Sequence, residues 1–291
     1  MVGTPRLARA ALGALGVVVP QLAAEIGFRA WRSLGRPEPV HPRDVEVHER
    51  ATRELLDLDG SPVATYAWGA GPEVVLLVHG WRSRASRFSS VVRALESADR
   101  TIVAFDAPGN GDSPGSGTTV LDYAHLIRRL AARHGGVDIV VAHSFGVLAT
   151  FLAVREGVPV GGIVGIAGMH DAHQIVDEFS RQAGIAGRAK AALRARIERR
   201  TFPGVVDPWH RFVSELDPAD TRTPLLLIHD ADDPVVAVGE AGRIAEAHQG
   251  PTRVVVTEGL GHARVVSDPA VVAEIVSFVD RARGPAVVDR H

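Results

Sequence analysis

"VVAHSFGVLA" occupies residues 140–149. An apolar run leads into Ser144, a second apolar run leaves it, and small residues flank it at Ala142 and Gly146. Such a stretch fits a serine held on a sharp strand-to-helix turn, where strand and helix come so close that bulky residues two before and two after are excluded. It also fits an ordinary serine in a tight buried turn, and the rest of the chain has to decide between the two.

Outward from this turn the pattern alternates. On its N-terminal side, "EVVLLVHGW" (73–81) and "RTIVAFDAPGNGDS" (100–113) are continuous apolar runs ending in polar loops, as expected of strands buried on both faces. "RFSSVVRALESAD" (87–99) and "TVLDYAHLIRRLAARHG" (119–135) carry helical spacing; in the second, Val120, Tyr123, Ala124, Ile127, Leu130 and Ala131 recur at three and four. On its C-terminal side come "VGGIVGIAG" (160–168), "TPLLLIHDADD" (223–233) and "TRVVVTEGLGH" (252–262), each strand-like, and a closing helix "PAVVAEIVSFVDRAR" (269–283). "RELLDLDGSPVATYAWG" (53–69) reads as a hairpin turned at Asp59-Gly60. Strand–helix alternation predicts an α/β class with a mostly parallel central sheet and helices on both faces.

Sites in such sheets lie beyond the carboxyl ends of the strands. His79, Asp106, Ser144, Asp233 and His262 each fall just after a strand-like run. Their gathering at one edge suggests acyl-transfer chemistry. A serine hydroxyl needs a base within hydrogen-bond reach, the base needs an orienting carboxylate, and the developing oxyanion needs backbone donors. Ser144 is the candidate nucleophile, His262 the candidate base and Asp233 the candidate orienting acid. Asp230 and Asp232 compete for the last role, with Asp171 a more distant fourth. The N–H groups of Phe145, next to the nucleophile, and Trp81, just after His79-Gly80, are the candidate oxyanion donors.

The domain plan follows. Residues 41–168 and 223–285 are expected to form the core. Residues 169–222, helical and polar ("DEFSRQAGIAGRAKAALRARIERRTFPG", 177–204), interrupt the alternation at the active edge and read as a helical cap. Phe179, Ile185, Phe202 and Trp209 are its candidates to line a pocket. Residues 1–40 form an N-terminal amphipathic helical segment. It begins basic, turns apolar from Ala10 to Val19, and is too short to span a bilayer, which takes about 20 apolar residues. It reads as a helix packed on the domain, as a peripheral membrane contact through residues 1–36, or as a signal peptide, in that order. We expect a cytoplasmic protein, with membrane contact the second reading.

Other chemistries find less support. The chain has 291 residues, no cysteine and a net charge of −2, which exclude disulfides and thiolate catalysis and give no global field for nucleic acid. In "PGNGDSPGSG" Pro114 stands where a dinucleotide fingerprint wants its third glycine. Val235 stands where a calcium loop wants glycine, and "HDAH" (170–173) offers two histidines without a third zinc ligand. The basic run 181–200, seven Lys/Arg against one Glu, reads first as a solvated helix face and second as a contact with anionic lipid.

Together these segments resemble the α/β-hydrolase superfamily, especially its capped, esterase-like bacterial members, over residues 55–282. "HGW" resembles that family's oxyanion motif, "FDAPGNGDS" its D-x-P-G-x-G-x-S loop, "AHSFG" its nucleophile elbow with Ala142 in place of glycine, and "GLGH" its histidine motif. "HDADDPVV" resembles the acid segment, with Asp233 at the catalytic position and Asp230 in place of a common glycine. The order serine, acid, histidine agrees. The resemblance implies a Ser-His-Asp hydrolase acting through an acyl-enzyme on a small-molecule carboxylic ester or related acyl bond, without metal or organic cofactor. Thioesters, lactones and amides, perhydrolase or acyltransferase chemistry, and a non-catalytic binding role are the alternatives.

Overall fold

The computed structural model describes residues 6–214 and 222–282. Eight strands form one sheet: β1 (Thr52–Leu58), β2 (Ser61–Trp68), β3 (Glu73–Val78), β4 (Arg100–Phe105), β5 (Val137–His143), β6 (Val160–Ile166), β7 (Leu225–Asp230) and β8 (Thr252–Thr257). Their spatial order is β1-β2-β4-β3-β5-β6-β7-β8. The β1–β2 hairpin pairs antiparallel and joins β4 antiparallel; every other neighbour is parallel.

The continuous apolar runs are explained by two cores, one on each face. Successive strand residues point to opposite sides. Leu76, Val78, Val103, Phe105, Val140 and Ala142 pack on one face, whereas Val75, Leu77, Ile102, Ala104, Ile139 and Val141 pack on the other. The first face is covered by α5 (Val120–His134) and α6 (Phe145–Arg155), the second by α4 (Ser89–Leu95) and α12 (Pro269–Ala282). Thr119 starts α5 as a capping box with Asp122, and Gly135 ends it in the left-handed conformation. β8 closes the sheet as a partly exposed edge.

Between β6 and β7 lie α7 (Ala172–Ala183), α8 (Gly187–Thr201) and α9 (Pro208–Arg211), while α10 (Gly239–Ala247) joins β7 to β8 and α11 (Gly261–Arg264) follows β8. Residues 215–222 of the expected cap reach beyond Ser214, and 215–221 lie outside the described residues, as do 283–285 of the expected core.

The N-terminal segment is two helices rather than one. α1 (Arg6–Val18) and α2 (Pro20–Arg32) are separated at Val19, because Pro20 lacks the N–H that would continue the α1 ladder. A short helix α3 (Val45–Arg50) precedes β1. α2 packs on α8 through Gly27, whose missing side chain leaves room for Ile185 and Leu193. Ala23, Ala24, Phe28 and Trp31 of α2 are buried in the same core as α5 and α6.

Candidate active site

Ser144 links β5 directly to α6. Its backbone sits at φ 54°, ψ −120°, a region that costs an L-residue about 1–3 kcal/mol. The surrounding chain holds it there. Its N–H donates to the Ile166 carbonyl of β6 at 2.8 Å. A side chain on Gly146 would stand 2.5 Å from the Val78 carbonyl oxygen and 2.7 Å from that of His79, so α6 can start this close to β3 only with glycine there.

Ser144, His262 and Asp233 meet across three loops. The Ser144 hydroxyl lies 2.9 Å from His262 Nε2, and His262 Nδ1 lies 2.7 Å from Asp233 Oδ2. A carboxylate only accepts, so Nδ1 carries the proton and Nε2 is left to accept from the serine. The Asp233 side chain is fully buried. Burial alone would raise its pKa, but hydrogen bonds from His262 and from the Val236 and Val235 N–H groups hold it below the ordinary range.

The competing acids have other work. Asp230 is buried and accepts from the N–H groups of Asp232, Leu260 and Gly261 and from the Thr257 hydroxyl, so it braces the turn that delivers His262. Against the penalty of burial, those four donors lower its pKa. Asp232 accepts from the Gly259 N–H, and Asp171 caps α7 through the Gln174 N–H.

Trp81 and Phe145, expected to supply the oxyanion donors, line one cavity with Ser144. Phe145 is the first residue of α6, so its N–H has no acceptor within the helix. The Trp81 N–H is aimed by its neighbours. His79 Nε2 accepts from the Ala107 N–H at 3.0 Å, which leaves Nδ1 to donate to the Gly80 carbonyl at 2.7 Å. The Tyr123 hydroxyl donates to the same oxygen at 3.1 Å. In a trans peptide the C=O and the next N–H point opposite ways, so fixing the Gly80 carbonyl fixes the Trp81 N–H. Asp106 braces the neighbouring loop, accepting from the Ala85 and Asp112 N–H groups and the Tyr66 hydroxyl.

Ser144 and His262 line a cavity of about 140 Å³, mostly apolar through Trp31, Trp81, Phe145, Met169, Ile175 and Phe179, with Arg82, Gln174 and Glu178 as its other polar members. A second apolar cavity, shared by Trp31, Trp81 and Phe145, runs deeper between Val176, Phe202, Trp209 and Phe212. Phe179, Phe202 and Trp209 therefore line pockets, as expected from the sequence. Ile185 does not: it is buried beneath α2 against Gly27, because α2 occupies the face of α8 that would otherwise be open.

Three residues were missed in the sequence. Trp31 of α2 forms a wall of both cavities, its ring tilted against that of Trp81 at 5.0 Å and edge-on to that of Phe179 at 5.4 Å. Tyr123, a core position of α5 by its spacing, also donates to the Gly80 carbonyl. His143, directly before the nucleophile, is buried, and its Nε2 donates to the His262 carbonyl at 2.9 Å. The two histidines of "HDAH" are engaged with protein: His170 with Ser214, His173 with Arg194 and the face of Trp209.

Comparison with known proteins accords with this fold. The chain is 26% identical to a pyrethroid hydrolase of Sphingobium wenxiniae over 250 residues, 73% of this chain and 88% of the relative. Its fold matches the mouse alpha/beta hydrolase domain-containing protein 10 with a TM-score of 0.62 and 17% identity, covering 79% of this chain and 98% of the other. It matches a monoacylglycerol lipase of Paleococcus ferrophilus with a TM-score of 0.57 and 18% identity, covering 76% and 99%. Residues 75–275 match the Alpha/beta hydrolase family, and the chain belongs to that family.

Proposed function

We propose that this protein is a serine hydrolase that cleaves a carboxylic ester through Ser144, His262 and Asp233. The observation that carries the reading is the unbroken relay from Ser144 Oγ to His262 Nε2 and from His262 Nδ1 to a buried Asp233. Ser144 attacks the ester carbonyl while His262 takes its proton. The tetrahedral oxyanion is held by the Phe145 and Trp81 N–H groups. Collapse expels the alcohol, which receives the proton from His262 and leaves an acyl-serine. Water, deprotonated by His262, attacks that acyl group; the acid departs and the proton returns to Ser144. Asp233 orients the imidazole throughout.

Residues 169–222 act as a cap in this reading, since Ile175 and Phe179 of α7 face Ser144 across the cavity. The lining favours an apolar, small-molecule substrate. The pyrethroid hydrolase relative supports the reading of a hydrolase acting on a small molecule.

The test is hydrolysis of p-nitrophenyl esters from acetyl to palmitoyl. Turnover that falls by roughly 10⁴-fold in Ser144→Ala, with an unchanged thermal unfolding midpoint, supports the scheme. Turnover retained by the variant overturns it. Activity confined to thioesters, lactones or amides would keep the triad and change the bond.

A further inference from the structure

The N-terminal helices carry an apolar surface that no other described element covers. α1 has two charged side chains, Arg6 and Arg9, near its start, and from Ala10 to Val18 every residue is apolar or glycine. Leu12 and Leu15 turn inward to the core, and Gly16 lies against Ala189 of α8. The opposite side carries Leu7, Ala11, Ala14 and Val18 at helical spacing, with Val17 beside them. Leu7, Val17 and Val18 are 86%, 84% and 78% exposed, and Val19, Leu22 and Ile26 continue the surface onto α2. A continuous apolar helix face ordinarily has an apolar neighbour.

The charge around this surface identifies the neighbour. Residues 6–36 and α8 together carry eleven basic and two acidic side chains, a net of +9 on a chain whose total is −2. Among the described residues the pairing expected of a solvated helix face is incomplete. Glu25 alone serves Arg29, Arg196 and Arg200. Lys190 has Asp177, and Arg194 stacks on Trp209. Two copies joined through α1 would bring +9 against +9, which like-charge repulsion opposes. An anionic bilayer satisfies both features, because it offers hydrocarbon to the stripe and negative headgroups to the arginines.

We propose that α1, α2 and α8 form a docking face for an anionic lipid bilayer, with Leu7, Val17 and Val18 seated at the boundary of headgroups and acyl chains. The helix lies on the membrane and does not cross it. At 1.5 Å per residue the 13 residues of α1 reach about 20 Å, against a hydrocarbon core of about 30 Å. Among the described residues no helix is long and apolar enough to span. The same two-helix piece supplies Trp31 to the cavity wall, so the docking face and the candidate active site share one structural unit.

Flotation of the full chain tests this, with vesicles of phosphatidylcholine alone and of phosphatidylcholine mixed one-to-one with phosphatidylglycerol. The wild type is expected to float with the mixed vesicles at least roughly tenfold better than with the neutral ones, and less so in high salt. Val17→Asp with Val18→Asp, and separately Arg188→Glu with Arg199→Glu, are expected to weaken that binding tenfold or more without moving the thermal midpoint. Absence of binding to the mixed vesicles overturns the proposal. So does equal binding to both compositions, or a dimer seen by light scattering that the valine variant dissolves while vesicles are ignored.

Discussion

The ring of His143 supports the backbone of His262: Nε2 of the first donates to the carbonyl oxygen of the second at 2.9 Å, with the two rings 4.9 Å apart. One strand end thus presents the candidate nucleophile at residue 144 and anchors the candidate base through residue 143. The bond requires a neutral His143 protonated on Nε2. Burial, and then the nearby His262, push its pKa down to about 3, so it stays neutral at every pH at which the enzyme would work.

This has a consequence for acid stability. The unfolded His143 titrates near 6.5, so between pH 6.5 and about 3 the unfolded chain binds a proton that the folded chain does not. Stability therefore falls as pH drops through that window, by about 2 kcal/mol from this residue between pH 7 and pH 5. His79, buried and likewise lowered, acts in the same direction. His143→Gln, which retains a side-chain N–H donor, is expected to lose about 2 kcal/mol of the difference between denaturant unfolding free energies at pH 7 and pH 5. An identical difference in the two proteins would show that His143 is not the titrating group.

The three aspartates around β7 separate by substitution. Asp233→Asn removes the carboxylate that holds the His262 tautomer and is expected to lower kcat by roughly 10⁴-fold at pH 7 with the fold intact. Asp232→Asn disturbs only a contact with the Gly259 N–H and is expected to leave kcat within a few-fold. Asp230→Asn places an amide among three N–H donors and a hydroxyl, so stability and kcat are expected to fall together. Steady-state kinetics paired with thermal melts distinguish the three patterns. A larger kcat loss at Asp232 than at Asp233 would move the acid by one position.

How much of this could be read from the sequence depended on whether the cause was local. The sheet was legible because β3, β4 and β5 announce themselves as unbroken apolar runs ended by polar turns. Ser144, Asp233 and His262 were legible because chain order and strand ends place them together. Asp230 was harder: its run "HDADD" offers three carboxylates, and only the turn geometry shows that the first faces backbone donors rather than an imidazole. The break between α1 and α2 was visible as Pro20, but the docking of α2 beside the candidate site was not. Trp31 meets Trp81 and Phe179 across separations of 50 and 148 residues, and no periodicity encodes such a contact. Ile185 was misassigned for the same reason, since its apolar character does not say whether a cavity or another helix will receive it.

Trp31 therefore carries the least expected prediction for substrate selection. It lies outside the span that matches the family, yet it walls both cavities. Arg82, beside Trp81, pins the end of α2 by donating to the Ser33 carbonyl. The indole so held is a wall shared by the Ser144 cavity and the second one. Trp31→Ala is expected to join the two cavities, to move the preferred p-nitrophenyl ester to a longer acyl chain, and to lower kcat/KM on the wild-type optimum roughly tenfold, mostly through KM. Trp31→Phe, which retains an aromatic wall and most of the packing, is expected to keep the original optimum. An unchanged chain-length profile in Trp31→Ala, with the protein folded, would show that the acyl chain leaves Ser144 by another path.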